Sequence, residues 1–401
     1  MGNAMHLPRL VLGLLCAACL SLNLAAAADA PTKPNLLTPE EIADGWLLLF
    51  DGQTLFGWKP ASKANWAVAD GAITASEGQP GLLLTTSQFG NYVLKADFRA
   101  AKGTNSGVFL RTSPRPTLED LNTRCYELNI GGSEITKYPT GSLVQRQRVE
   151  GDPTRADWQT FEVTADRGHF AVTLDGKQVL DYTDRKPLGR GFIGLQFNTG
   201  RIEFRNIKLK PLGMASLFNG KDLAGWKTYP EMKSRFTVTP EGWINVKDGR
   251  GQLESEGQYA DFTMQLDVYA NGRGLNSGVF FRCIPGETMN GYECQIQNAI
   301  VDGDRAKPKD CGTGGIFRRQ NARKVVSNDF EWFTLTLHAD GPHVATWVNG
   351  YPVADWTDTR PADKNPRKGL RREAGTIMLQ GHDPTTDLSF RRLRIAELPG
   401  R

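Results

Sequence analysis

The residues best equipped for chemistry lie in three short stretches of the chain's second half. "NSGVFFR" (276–282), "YECQIQ" (292–297) and "LQGHD" (379–383) each mix apolar residues with carboxylate, carboxamide, guanidinium or imidazole groups. In an extended chain, successive side chains alternate between two faces. Asn276, Phe280 and Arg282 then share one face of the first stretch, Glu293, Gln295 and Gln297 one face of the second, and Gln380 and His382 one face of the third. Tyr292, Cys294, Ile296 and Leu379 point the other way, toward an expected core. Two readings fit: a wet sheet face on which Arg and Glu form a cross-strand ion pair, or a polar concave face, with aromatics nearby, that holds a sugar.

The same residues recur in the first half, as Arg111 in "NSGVFLR" (105–111), Glu127 in "YELNI" (126–130) and Gln196 in "IGLQFN" (193–198). Around them, "LFDGQTLFGWK" (49–59) matches "LFNGKDLAGWK" (217–227), and "TGSL" (140–143) matches "TGGI" (313–316). A longer pair, 157–184 and 331–358, also corresponds. One order, met twice, is a tandem duplication of domain-sized units. The expected boundaries are a leader at 1–28 and repeats at 29–213 and 214–401. Retention of the polar positions in both copies favours the ligand-holding reading.

The elements that must position these residues are strands. "YVLKADFRA", "FAVTLDG", "FTMQLDVYA" and "HVATWVNG" alternate apolar and polar residues, Asp-Gly and Asn-Gly turns break up the alternating segments, and no stretch keeps a helical period. An all-β fold of two tandem jelly-roll β-sandwiches follows. Gly107 and Gly278 are expected at bulges or close backbone approaches. Trp58, Trp226, Trp158 and Trp332 are read as core, whereas His338 and His343, flanking a hairpin turn, are read as exposed.

Arg9, the apolar run Leu10–Leu24 and "AAAADA" have the form of a secretory leader cleaved near Ala28, so the mature chain is expected in the periplasm or outside the cell. Its removal lowers the net charge from +4 to +3. Acids and bases are mixed along the chain, which argues against a nucleic-acid partner, and no later run is long enough to span a membrane. The basic "RKGLRRE" (367–373) reads as a solvated loop. Export permits a disulfide among Cys283, Cys294 and Cys311, leaving Cys125 free, and the absence of CxxC argues against structural zinc. GxSxG, HExxH and phosphate-binding glycine loops are absent. Asp302 and Asp304 in the 302–310 loop miss the EF-hand spacing, so no metal or other cofactor is expected, calcium there being the remaining alternative.

Taken in order, the "LF(D/N)G…GW" opening, "NSG", "YE", "TG", the Trp before the late strands, "LQ" and "FR" make both halves resemble the 3-keto-disaccharide hydrolase family. The resemblance implies concanavalin-like jelly rolls acting on glycosides whose C3 hydroxyl has become a ketone. It further implies Glu293 and His382 as acid/base groups, Arg282 at the enolate or the sugar, and Asn276, Gln295, Gln297 and Gln380 on hydroxyls. Arg111, Glu127 and Gln196 would be their first-repeat counterparts. Phe197-Asn198 replaces the expected His in the first copy, which places the principal site in the second. The second copy departs from the family pattern at Phe333 after Trp332, at Phe317 and in "FRRL". A non-catalytic, lectin-like tandem is the alternative.

Overall fold

The computed structural model describes residues 1–2, 33–114, 116, 120 and 123–400. The expected leader falls almost wholly at 3–32, outside the described residues. Residues 34–401 form one compact unit.

Alternation along the strands sorts each repeat into two antiparallel sheets. In the first repeat the larger sheet centres on Tyr92–Ala100 and Ile202–Pro211, and in the second on Phe262–Ala270 and Asp387–Glu397. The five-stranded sheets run Trp58–Pro60, Gly81–Phe89, Gly191–Thr199, Asn105–Thr112, Tyr126–Ile130 and, equivalently, Trp226–Lys227, Gly251–Tyr259, Gly375–Gly381, Ser277–Cys283, Tyr292–Ile296. Their inner faces supply the cores: Tyr126, Leu128 and Ile130 in one, Val279, Phe281, Tyr292, Cys294 and Ile296 in the other. Sequence parity is right for these strands, and their polar faces are left on the outside of each sandwich.

Several details differ from expectation. Among the described residues one helix, Pro39–Asp44, opens on a Thr38/Glu41 capping box and is too short to show a period. Trp58 and Trp226 are core, but Trp158 lies under Arg99 and Arg205, and Trp332 under Arg391, nearer the surface. His338 and His343 are buried, because the first repeat packs over their hairpin. Phe89 lies against His338, Ser87 Oγ meets His343 Nε2 at 3.2 Å, and Arg190 pairs with Asp261 and Asp340. Cys125, Cys283, Cys294 and Cys311 are buried free thiols, Cys294 in the core and Cys283 against Phe280, Met289 and Met378. Among the described residues no helix is long and apolar enough to cross a membrane.

Candidate functional site

"NSG" acquires a physical meaning on the outer face of the small sheet. Asn276 Oδ1 accepts from Gln295 Nε2 at 2.7 Å, fixing that carboxamide. Ser277 Oγ donates to the Gln380 carbonyl at 2.7 Å, pinning the neighbouring strand that carries Gln380 and His382. Gly278 leaves room for the third strand's carboxylate: a Cβ there would stand 2.8 Å from Glu293 Oε1 and 3.0 Å from its Cγ. In the first repeat Ser106 Oγ donates to the Gln196 carbonyl at 2.6 Å, and a Cβ on Gly107 would meet Glu127 Oε1 at 3.3 Å. Neither glycine has a positive φ, so close approach explains both.

These strands floor a cleft in each repeat. The second, of about 420 Å³, brings together Asn276, Glu293, Gln295, Gln380 and His382, walled by Phe280, Met289 and Phe317 and rimmed by Arg250, Asp310 and Arg367. The first, of about 430 Å³, holds the equivalent Asn105, Glu127, Asn129, Gln196 and Asn198, with Phe109 and Val144 as walls. Burial pushes the Glu293 carboxyl up to about 7, with Arg367 and Arg318 opposing and Asp310 adding to the rise. Burial likewise raises Glu127 to about 7, opposed by a hydrogen bond to Gln196. Both carboxyls are therefore poised near neutrality.

The Oε1 atoms of Gln295, Gln380 and Gln196 are buried without a protein partner. A buried, unpaired acceptor costs about 1–3 kcal/mol, so each calls for a donor such as a sugar hydroxyl. His382 is oriented by Asp383, whose Oδ2 lies 2.8 Å from Nδ1, while Thr385 and His382 hold that carboxyl below its ordinary range. With Nδ1 so engaged, Nε2 is the nitrogen left for proton transfer. Asp383, Asp310 and Arg250 are members of the site that strand parity did not reach, since each lies in a loop or at a strand end. The "HD" step in "LQGHDPTT" was the available signal for Asp383.

Arg282 does not join this cleft. A bulge interrupts its strand pairing after Phe280, and Arg282 takes a φ of 49°, which breaks the alternation that placed it beside Asn276. Its guanidinium, 1% exposed, is consumed by the carbonyls of Ala260, Gly341 and Arg371 and by Asp261 Oδ1 at 3.0 Å. Arg111, with a φ of 51°, is spent in the same way on Gly90, Arg167 and Leu188 carbonyls. Both arginines are structural ties. Gln297 shares the face of Glu293, but its amide bonds Gly274 O and Ala299 N and is absent from the cleft lining. In the 302–310 loop Asp304 caps its own turn and lies 3.7 Å from Lys307.

Residues 45–210 and 213–396 each match the 3-keto-alpha-glucoside-1,2-lyase-like domain. The chain is 34% identical to a 3-keto-disaccharide hydrolase of Bacteroides thetaiotaomicron, over 42% of its own length and 79% of that protein's. Among solved structures it is similar to a glycosyl hydrolase described as putative from Parabacteroides distasonis. That likeness has 21% identity and a TM-score of 0.41, covering 45% of this chain and 100% of the other.

Proposed function

The chain belongs to the 3-keto-alpha-glucoside-1,2-lyase-like family twice over, with a carbohydrate hydrolase-like function, and we propose that its second cleft cleaves glycosides bearing a ketone at C3. The ketone acidifies the C2 hydrogen. Glu293, ionised above about 7, removes that proton. The electrons left at C2 form the C1–C2 double bond as the C1–O bond breaks, and the departing oxygen takes a proton from His382, which Asp383 orients. Water then gives its hydroxyl to C1 and its proton back to His382, the proton held by Glu293 returns to C2, and the net result is hydrolysis.

During proton removal, charge builds on the C3 oxygen. With Arg282 spent elsewhere, that charge falls to Arg250, a cleft cation just before the strand paired with Gln380. Gln295 and Gln380 accept hydroxyl hydrogens from the ring. The observation that carries this reading is the grouping of Glu293, Gln295, Gln380 and His382 in one cleft. Each chemical role falls to a side chain, without a metal or other cofactor. The expected leader would place the reaction in the periplasm or outside the cell.

The first cleft has Asn198 where the second has His382 and Pro80 where it has Arg250. It keeps its carboxyl and an unpaired carboxamide oxygen, and we assign it to sugar binding without bond cleavage. Aglycone release from a chromogenic 3-keto-glucoside tests the whole, with the unoxidised glucoside as control. Turnover of the keto form alone, lost in Glu293→Gln, is expected; saturable sugar binding with no turnover on any keto-glycoside would leave the lectin-like reading instead.

A further inference from the structure

A second, smaller cavity of about 100 Å³ shares Glu293, Phe280, Phe317 and Arg367 with the cleft. Three guanidinium groups line it, from Arg318, Arg319 and Arg367, and among the described residues none has a carboxylate partner. Among the described residues the first cleft is lined by no arginine or lysine, and Glu127 is its one titratable group.

The contrast has a structural origin. In the first repeat, Arg146 stacks on Tyr126 and bonds Asp184 Oδ2 at 2.8 Å. Arg319 occupies the equivalent turn, but the matching carboxylate, Asp358, is taken by Arg360 at 2.8 and 2.9 Å. Arg319 is left with carbonyl contacts to Arg318 and Arg367. Arg318 stands where the first repeat has Gln145, both with φ near 58–59°. Arg367 comes from the connection 359–374, much longer than its counterpart 185–190. Arg367 is exposed, in keeping with the solvated loop expected of 367–373, and it also lines this cavity.

Resting on the reading of the second cleft as a keto-glycoside site, we propose that its substrate carries an anionic group, a carboxylate or a sulfate, seated among Arg318, Arg319 and Arg367. The cavity is about a quarter of the cleft's volume, a scale that suits such a group. Arg367 gives one donor to the Met289 carbonyl; forked guanidinium groups without a carboxylate ion-pair partner are the chemistry that recognises a planar or tetrahedral oxyanion.

Calorimetric titration of the full chain with methyl glucuronide, a sulfated methyl glucoside and neutral methyl glucoside, at low and high salt, tests this. The anionic ligands are expected to bind roughly tenfold tighter or more than the neutral one, with the advantage shrinking as salt rises. The Arg318→Gln/Arg319→Gln variant should lose that preference and keep its unfolding transition, because neither side chain is in the core. The carboxylate and sulfate arms identify which anion is preferred. Equal affinities, binding of none, or a preference that survives the double variant would overturn the inference. Turnover of a neutral 3-keto-glucoside alongside equal affinity for the anionic and neutral ligands would overturn it and leave the proposed function standing. An arginine-dependent anion preference with no turnover of any keto-glycoside would sustain it and remove the proposed function.

Discussion

Replacing Glu127 or Glu293 with Gln is expected to stabilise the fold in both cases and to affect activity in only one. Each carboxyl has a folded-state value of about 7 against an ordinary 4.5. The folded protein therefore binds more protons than the unfolded chain between those values. Stability from this source is complete below 4.5 and is lost as pH rises through about 7. At 1.36 kcal/mol per pH unit the loss for Glu127, which is 6% exposed, reaches about 3 kcal/mol above neutrality. Glu293 is more open to water and should lose less. Glutamine keeps the shape without the charge, so at pH 8 Glu127→Gln should gain about 3 kcal/mol, and at pH 4 nearly nothing. Urea unfolding at the two pH values reads this as a midpoint shift on the order of 1 M at the alkaline value only. Turnover should survive in Glu127→Gln and vanish in Glu293→Gln. A gain that is the same at both pH values, or none at either, would refute the argument that burial holds these carboxyls near neutrality.

Other outcomes follow from the same geometry. Gly278→Ala should leave stability within about 1 kcal/mol, because the clash falls on a flexible side-chain end, yet reduce kcat by roughly 100-fold through displacement of the Glu293 carboxylate. Arg282→Ala should cost about 3–5 kcal/mol in thermal or urea unfolding, since it strands the buried partners of a structural tie. His382→Ala should slow release of a poor leaving group by roughly 100-fold or more while sparing a nitrophenolate. Asp383→Asn should reproduce that pattern in part, in kcat more than in KM. Turnover should withstand EDTA, and N-terminal sequencing of the secreted chain should begin near Asp29.

Much of this arrangement was legible in the sequence. Period-two alternation and the duplicated motifs gave two β-sandwiches, and parity alone put Glu293, Gln295, Gln380 and His382 on one polar surface. Parity failed where the backbone does. The bulge at Arg282 changes which way one side chain points, and "FFRC" carries no glycine or proline to announce it. The burial of His338 and His343 depends on how the repeats pack, information absent from either hairpin. Asp383, Asp310 and Arg250 come from connections, where no period exists to read.

The most direct test of the account is the rate with a 3-keto-glucoside carrying deuterium at C2. A primary isotope effect on kcat/KM, on a rate that rises with pH to a plateau above about 7 and is abolished by Glu293→Gln but not by Glu127→Gln, is predicted. Full turnover without an isotope effect in Glu293→Gln would show that the second cleft's carboxylate is not the base.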